Sequence, residues 1–248
     1  MSAGRFFKHT TGLAVCVARA LRDGRGRVTL PDRAAWLHKW CRHTLAALEV
    51  SIATEGPIPQ RGLLVSNHLS YLDIMVYSAI TPCIFVSKKE VESWPVFGAL
   101  ATRAGSVYID RALTSDAHRV RNEVADALRD GMLVAVYPEG TSSDGSSVLP
   151  FKPALFQSAI EADAEIAPAH ISYALNDGDP GQDIAYWGDM TFFPHLLKLL
   201  AKRRIEARVR FAEKAIHAAN RREACDLAYA AVSELGGSLS DKIRASAG

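Results

Sequence analysis

The segment NHLSYLD at residues 67 to 73 contains a histidine and a carboxylate, His68 and Asp73, directly after the apolar run at residues 63 to 65. A histidine becomes an effective general base when a carboxylate fixes its tautomer and stabilises the imidazolium that proton uptake creates. In α/β folds the chemistry is concentrated in the loops that follow strands. His68 and Asp73 are therefore predicted to form a catalytic pair at the end of a strand.

The spacing of this pair restricts its geometry. At about 100° per helical residue, His68 and Asp73 would stand about 140° apart on one helix and would not share a face. We therefore expect His68 in the turn that leaves the strand and Asp73 in the first turn of the following helix. A second interpretation stays open, because SYLD at residues 70 to 73 also fits a capping box, in which Asp73 only satisfies backbone donors.

A second polar segment, YPEGTSS at residues 137 to 143, follows the apolar run at residues 132 to 136. Pro138 and Gly140 predict a tight turn with Glu139 at its tip, where a carboxylate can accept hydrogen bonds from a polar substrate. The alternative is a capped loop without a substrate. Two strand ends that carry polar loops favour a shared site.

The chain resembles the membrane-associated glycerolipid acyltransferases, which acylate lysophosphatidic acid and related lysolipids. Its NHLSYLD segment is similar to their NH(X4)D block, and their other three blocks are similar to GSVYIDR at residues 105 to 111, YPEGTSS at 137 to 143 and IAPA at 166 to 169. All four occur in family order between residues 60 and 175. Four ordered matches are far more specific than one.

The resemblance implies a reaction without a covalent intermediate or a bound cofactor. His68 would remove the proton of an acceptor hydroxyl, Asp73 would orient His68, and the hydroxyl would attack the thioester of an acyl carrier protein or coenzyme A. Backbone amides near Gly140 or at the helix after Ser70 could stabilise the oxyanion, and both options stay open. The resemblance also implies substrate-binding residues, namely Asn67, Arg111, Glu139, Gly140 and Thr141.

Two cations follow other strand-like runs. Lys88 and Arg111 come after residues 84 to 86 and 107 to 109, so each is a candidate anchor for an anionic headgroup. The alternative for Arg111 is a structural ion pair with Asp110 or Glu139. For Lys88, and similarly for Lys152, the alternative is a solvated surface charge.

The chain departs from the family at Ser142, where the third block usually has an arginine. The segments at residues 139 to 145, 148 to 156 and 187 to 196 are most similar to the bacterial branch that acylates lyso-ornithine lipid. Because that acceptor has no phosphate, loss of an arginine that would pair bidentately with phosphate is consistent with it. Lyso-ornithine lipid and 1-acyl-glycerol-3-phosphate both remain candidate acceptors.

Other chemistries fit the sequence less well. Ser66 and Ser70 flank His68, but the Gly-x-Ser-x-Gly elbow of a serine nucleophile is absent from the sequence. The sequence has no HExxH or CxxC spacing, so we predict no metal site. His170 and His195 are expected to be packing or surface residues.

Composition limits the partners and the compartment. A formal net charge of +2 in 248 residues is too balanced to favour nucleic acid as a partner. Four dispersed cysteines and no convincing secretory signal favour a reducing compartment and a protein that faces the cytoplasm. A hydrophobic content of 48% can fill one substantial core.

Membrane association is predicted without a spanning helix. No uninterrupted run approaches the ~18 to 20 apolar residues that a span needs. Residues 5 to 22 and 33 to 48 mix large apolar side chains with cations, as helices in a membrane interface do. We therefore expect a peripheral or monotopic protein at the cytoplasmic face of the inner membrane. The alternative is a helical pair packed on the core.

The pattern of apolar runs predicts two regions, a helical one at residues 1 to 48, with a loop at 24 to 27, and an α/β domain at 49 to 248. The resemblance implies that the second region is the acyltransferase domain. Strands are predicted near residues 49–54, 63–66, 84–87, 106–109, 132–137, 165–174 and 205–211. Helices are predicted at residues 71–80, 115–130, 153–163, 191–203 and 221–235, and residues 177–181 are predicted to be a loop. This order indicates a mixed, largely parallel sheet with helices on both faces.

Two classes of function remain. The first is a lysolipid acyltransferase, and the second is a catalytically inactive membrane-bound scaffold that keeps the same fold. Intact His68, Asp73 and Glu139 favour the enzyme.

Overall fold

The computed structural model describes residues 3–23, 26, 28–110 and 114–246. Seven strands in this part of the chain form one sheet: β1 (Val50–Glu55), β2 (Gly62–Ser66), β3 (Ile84–Lys88), β4 (Val107–Ile109), β5 (Leu133–Val136), β6 (Ile166–Ala174) and β7 (Ile205–Phe211). Their order across the sheet is β1-β7-β6-β2-β5-β3-β4. Neighbouring strands are parallel except for β6 and β7, which are antiparallel.

The helices follow the strands in an alternating order. In chain order the α-helices are α1 (Ala3–Asp23), α2 (Leu30–Ala47), α3 (Tyr71–Ile80), α4 (Phe97–Arg103), α5 (Thr114–Arg129), α6 (Gln157–Glu161), α7 (Pro180–Asp183), α8 (Phe192–Leu200) and α9 (Arg221–Ser246). Two short 3₁₀ helices lie at Lys89–Ser93 and Pro153–Phe156. Every residue of β2 and β5 is buried, as expected of central parallel strands covered on both faces.

Apolar side chains fill both faces of the sheet. On one face, α2, α3 and α8 contribute Leu45, Val76 and Leu200 to a core cluster. On the other face, α5 and α9 contribute Val124 and Ala228 to a second cluster. The predicted architecture, a mixed and largely parallel sheet with helices on both faces, is confirmed.

The predicted strands are all confirmed, with bounds within one residue at either end. Several helical features differ from the prediction. α4 was not predicted, and the 153–163 helix is a 3₁₀ turn followed by the short α6. The loop predicted at residues 177–181 is partly helical, because the Asp179 carboxylate accepts a hydrogen bond from the Gln182 N–H at 2.9 Å and Pro180 opens α7.

The last helix also continues beyond its predicted end at residue 235, and α9 reaches Ser246. Glycine usually marks a helix end, but Gly236 serves close packing here. A Cβ at position 236 would lie 2.8 Å from His170 Nε2. The glycine therefore lets the helix approach β6 and does not end it.

The two N-terminal helices pack against the rest of the chain. In α2, Trp36 and Leu45 are buried, and the Trp36 indole donates a hydrogen bond to the Ala20 carbonyl at 3.2 Å. In α1, His9 is completely buried, and its Nδ1 lies 2.9 Å from the Leu200 carbonyl oxygen. The two N-terminal helices therefore pack on the core, which is one of the two alternatives predicted for them.

The described helices include none that combines the length and the apolar character needed to cross a bilayer. Whether residues 1 to 48 form a separate unit stays a prediction. In the predicted loop at residues 24 to 27, only Gly26 lies within the described residues.

Candidate active site

The sheet brings the two polar loops together. β2 and β5 are parallel neighbours, with Val65 opposite Val136 near their carboxyl ends. The segments that follow, residues 67–70 and 137–143, therefore leave the sheet side by side. The backbone N–H of Ser143 donates to the His68 carbonyl at 2.9 Å and joins the two loops directly.

Asn67 fastens the first loop to β6. Its side-chain N–H donates to the Ile171 carbonyl at 3.0 Å, and its side-chain oxygen accepts from the Ile171 N–H at 2.8 Å. Asn67 is 3% exposed. Its amide therefore extends the hydrogen bonding of the sheet past the end of β2. Contact of Asn67 with a substrate stays a prediction.

His68 and Asp73 are in contact, as the sequence predicts. His68 lies in the turn after β2 and Asp73 in the first turn of α3, with 2.8 Å between His68 Nδ1 and Asp73 Oδ2. The Asp73 side chain is completely buried, whereas that of His68 is 20% exposed. Because the carboxylate is an acceptor, Nδ1 carries the proton and Nε2 carries the lone pair.

Asp73 also satisfies backbone donors. Its Oδ2 accepts hydrogen bonds from the N–H of Leu69 at 2.7 Å and of Ser70 at 2.9 Å. The two interpretations of Asp73, histidine partner and capping residue, are therefore both present in one carboxylate. Bonds to several donors are what a buried carboxylate needs in order to stay ionised.

Two tyrosines that the sequence analysis did not select complete the surroundings of the pair. The Tyr173 hydroxyl, on β6, donates to Asp73 Oδ1 at 2.7 Å. The Tyr137 ring lies flat against the His68 ring, with centroids 4.0 Å apart and planes inclined by 14°. Tyr137 belongs to the YPEG segment, whereas Tyr173 had only its strand position as a signal.

The Glu139 carboxylate also links the two polar loops. Its Oε2 accepts from the His68 N–H at 3.1 Å and its Oε1 from the Leu149 N–H at 3.0 Å. Burial raises the pKa of Glu139 to about 7, although these two hydrogen bonds act in the opposite direction. The capped-loop role is therefore present, and contact of Glu139 with a substrate stays a prediction.

The turn after Glu139 requires a glycine. Gly140 has φ +74, and a Cβ there would lie 2.6 Å from Lys152 Nζ. The Lys152 ammonium thus lies over the turn, at the exposed edge of the site. Thr141 is exposed beside it. Substrate contacts of Gly140 and Thr141 stay predictions.

Of the two cations predicted as headgroup anchors, Lys88 lies within the described residues and Arg111 does not. Lys88 is the exposed last residue of β3 and lies opposite Ile109 of β4. Arg111 lies outside the described residues, so its proposed anchor role stays a prediction. Ser142, at the position of the family arginine, donates a hydrogen bond from its hydroxyl to the Tyr186 carbonyl.

The alternative chemistries gain no support. The Ser66 hydroxyl is buried and lies 2.6 Å from the Tyr77 hydroxyl, and Ser70 is completely buried. His195 is a packing residue that contacts the Tyr71 hydroxyl and the Ala185 carbonyl, each at 3.0 Å. Within the described ranges, no group of three or more His, Cys, Asp or Glu side chains could hold a metal ion.

An apolar cavity of about 170 Å³ lies beside the site. Its wall is made by α1, α2, α3, the segment from β3 to α4, and α8. Tyr71 and Leu72, at the start of α3, belong to this wall and follow His68 closely in the chain. The start of α3 therefore contributes to both the pair and the cavity wall, and the N-terminal helices line the cavity together with the α/β domain.

The chain is similar in sequence to several known proteins. A family model described as Acyltransferase matches residues 48–172. The chain is 34% identical over 226 residues to a lyso-ornithine lipid O-acyltransferase of Rhizobium meliloti, which covers 84% of this chain and 76% of that protein. It is 36% identical over 173 residues to a 1-acyl-sn-glycerol-3-phosphate acyltransferase of Neisseria meningitidis, with 68% of each chain covered.

A solved structure supports the fold. The 1-acyl-sn-glycerophosphate acyltransferase PlsC of Thermotoga maritima superposes with a TM-score of 0.69 over 95% of each chain. The sequence identity is 18%, so this likeness concerns the architecture alone.

Proposed function

This chain belongs to the acyltransferase family, and on that premise we propose that it transfers a fatty acyl group from an acyl thioester to the hydroxyl of a lysolipid. The observation that carries the proposal is the contact of 2.8 Å between His68 Nδ1 and the buried Asp73 carboxylate. This contact keeps the proton on Nδ1, so the lone pair of Nε2 is available to act as a general base.

The reaction follows from this geometry. The acceptor hydroxyl gives its proton to His68 Nε2 while its oxygen attacks the thioester carbonyl carbon. The tetrahedral intermediate then expels the thiolate, which takes the proton back from His68. An ester and a free thiol result, and no covalent enzyme intermediate is formed. Asp73 stabilises the imidazolium during the transfer.

The first turn of α3 is the better candidate for oxyanion stabilisation. The amides of Leu69 and Ser70 are engaged by Asp73, and the Gly140 amide donates to the Tyr137 carbonyl at 3.1 Å. A helix leaves its first amides without intrahelical acceptors. In α3 these are the amides of Tyr71 and Leu72, since the Asp73 N–H donates to the Ser70 carbonyl at 3.0 Å. We assign the oxyanion to these amides.

Lyso-ornithine lipid is the acceptor that we favour over 1-acyl-glycerol-3-phosphate. Ser142 supplies a hydroxyl where the resemblance leads us to expect an arginine, and that hydroxyl is bonded to the Tyr186 carbonyl. A second relative, the lyso-ornithine lipid O-acyltransferase of Pseudomonas aeruginosa, is 34% identical over 203 residues. An acceptor without phosphate needs no guanidinium at position 142.

The acyl group and the membrane fit the same face of the molecule. The apolar cavity beside Tyr71 suits a hydrocarbon chain, since its wall is built almost entirely from apolar side chains. Phe7 of α1 is 73% exposed, and Phe193 and Leu197 of α8 are 57% and 51% exposed. Exposed apolar side chains on α1 and α8, two helices that contribute to the cavity wall, suit peripheral or monotopic contact with a membrane.

We propose the cytoplasmic face of the inner membrane as the site of action, with acyl carrier protein or coenzyme A as the carrier of the donor. Cys16, Cys41, Cys83 and Cys225 are free thiols. Free thiols suit a reducing compartment.

Product analysis tests the proposal. The purified protein is mixed with an acyl thioester and a panel of acceptors that includes lyso-ornithine lipid and lysophosphatidic acid, and the products are identified by mass spectrometry. His68→Ala should lower conversion roughly 10²- to 10⁴-fold, the usual contribution of a general base. His118→Ala, at an exposed position on α5, is the matched control and should retain the wild-type rate.

Each outcome has a definite meaning. Conversion of one acceptor that is lost in His68→Ala supports the mechanism and identifies the substrate. Near-normal turnover in His68→Ala contradicts the role of His68. No conversion of any acceptor, with membrane binding retained, contradicts the enzyme and favours the inactive scaffold.

A further inference from the structure

The segment at residues 67–73, here called the catalytic loop, is hydrogen-bonded to β6 at both of its ends. At the first end, the Asn67 amide makes two hydrogen bonds to the backbone of Ile171. At the second end, the Asp73 carboxylate accepts a hydrogen bond of 2.7 Å from the Tyr173 hydroxyl. Ile171 and Tyr173 are two positions apart on β6, so they lie on the same face of the strand. His68 lies between these two attachments.

The two oxygens of Asp73 have different environments. Oδ2 accepts from three donors, His68 Nδ1 and the N–H groups of Leu69 and Ser70. The hydrogen bond to Oδ1 comes from Tyr173. The backbone and histidine donors therefore fix Oδ2. Tyr173 holds Oδ1 and so limits rotation of the carboxylate about its Cβ–Cγ bond.

We propose that Tyr173 is a positioning residue for acyl transfer, which holds the Asp73 carboxylate toward His68 and adjusts the strength of their interaction. This role rests on the proposed function of His68 as general base. Tyr173 acts through Asp73 and is not assigned any contact with the substrate.

The hydroxyl is suited to this task because it stays a donor. Tyr173 is 9% exposed, and Asp73 is fully buried. Burial, together with the neighbouring Asp73 carboxylate, holds the pKa of Tyr173 well above its usual range. The phenol therefore keeps its proton at neutral pH.

A hydrogen bond to Oδ1 withdraws negative charge from the carboxylate. When the bond is removed, the carboxylate attracts the protonated ring of His68 more strongly, and the imidazolium persists to higher pH. The base form of His68 is then less available, and the carboxylate is also less firmly oriented. Both effects lower the rate, but only the first moves the acid limb of the pH profile.

Tyr173→Phe tests the proposal. We expect kcat/KM to fall roughly 10- to 100-fold, the range seen when a hydrogen-bond partner behind an active-site ligand is removed. We also expect the acid limb of its pH profile to move to higher pH. The matched control is Tyr77→Phe, since Tyr77 is also buried and its hydroxyl lies 2.6 Å from Ser66 Oγ. Its acid limb should stay at the wild-type position.

A second substitution should move the acid limb in the opposite direction while keeping the shape of the side chain. Replacement of Tyr173 by 3-fluorotyrosine makes the phenol a stronger donor, so the acid limb should move to lower pH. Because the ring fits the same space, this protein is expected to fold even if Tyr173→Phe does not. An unchanged acid limb in this protein, or in folded Tyr173→Phe, would overturn the proposal.

A readout without substrate separates this inference from the proposed function. The ring resonances of His68, assigned by their loss in His68→Ala, are followed by NMR as a function of pH. The titration midpoint should move to higher pH in Tyr173→Phe and to lower pH in the fluorinated protein. If these shifts occur in a protein that acylates no acceptor, the proposed function fails and the coupling of Tyr173 to His68 stands. If turnover is normal and the midpoints do not move, the inference alone fails.

Discussion

At the residue scale, one carboxylate combines two functions that the sequence presents as alternatives. Asp73 caps the start of α3 and contacts His68 through the same oxygen, Oδ2. Because two backbone donors also hold that oxygen, its position does not depend on the histidine alone. The start of the helix therefore fixes part of the geometry of the pair.

Glu139 provides a residue-scale prediction for the pH dependence of stability. Burial raises its pKa from 4.5 to about 7, so the folded chain binds a proton at this site more tightly than the unfolded chain does. Its contribution to the free energy of unfolding should therefore fall by at most about 3 kcal/mol as the pH rises between those two values. Above them the contribution should be constant.

Glu139→Gln removes this dependence because the amide does not titrate. The unfolding free energies of the two proteins are compared by urea denaturation across the same pH interval and above it. The wild-type value minus the variant value should decrease with rising pH and then become constant. Parallel curves for the two proteins would show that Glu139 titrates normally.

At the element scale, the attachment of the catalytic loop to β6 depends on an amide. Asn67 donates to the Ile171 carbonyl and accepts from the Ile171 N–H, which a carboxylate cannot do. Asn67→Asp should therefore lower the free energy of unfolding by roughly 2 to 4 kcal/mol at neutral pH. The loss should shrink at acid pH, when the introduced carboxyl group is protonated and can donate.

The control for Asn67→Asp is Asn220→Asp, at an exposed position. The Asn220 side-chain oxygen accepts hydrogen bonds from the N–H groups of Arg222 and Glu223 at 3.0 and 3.1 Å. A carboxylate performs that task equally well. Thermal and urea denaturation of both variants provide the comparison, and equal stability of the two would contradict the role of Asn67.

Sequence reasoning at this scale succeeds where the signal is local. Apolar runs identify the strands, and the position of His68 after β2 places it correctly in the turn. It fails where a residue acts through a distant partner. Gly236 is a helix-end signal in the sequence, but its lack of a side chain serves the approach to His170. Tyr173 likewise acquires its role from contact with Asp73, a hundred residues earlier.

At the scale of the whole molecule, exposed apolar residues of α8 lie on a helix that also lines the cavity. Phe193 and Leu197 of α8 are exposed beside the helices that line the cavity. α8 and α1 are joined at the buried His9, whose Nδ1 lies 2.9 Å from the Leu200 carbonyl. α9 lies on the opposite face of the sheet. The proposed membrane contact therefore includes a helix outside the N-terminal region.

This arrangement leads to a prediction about membrane binding. The double variant Phe193→Asp and Leu197→Asp should bind liposomes at least about tenfold more weakly, because each side chain loses apolar burial in the interface. Its rate with detergent-dispersed substrates should be retained. Leu227→Asp, at a 45% exposed position on α9, is the control. Sedimentation with liposomes measures the effect, and equal loss in both proteins would contradict a role of α8.

The attachment of the loop to β6 also has a consequence for the order of folding. Asn67 and Asp73 meet their partners Ile171 and Tyr173 across about a hundred residues of chain. Contacts so far apart in sequence form late, after the entropy of closing the intervening segment has been lost. During synthesis, a chain that ends before β6 has His68 but lacks the strand that orders it. The histidine is thus brought into its working geometry only when most of the sheet is assembled.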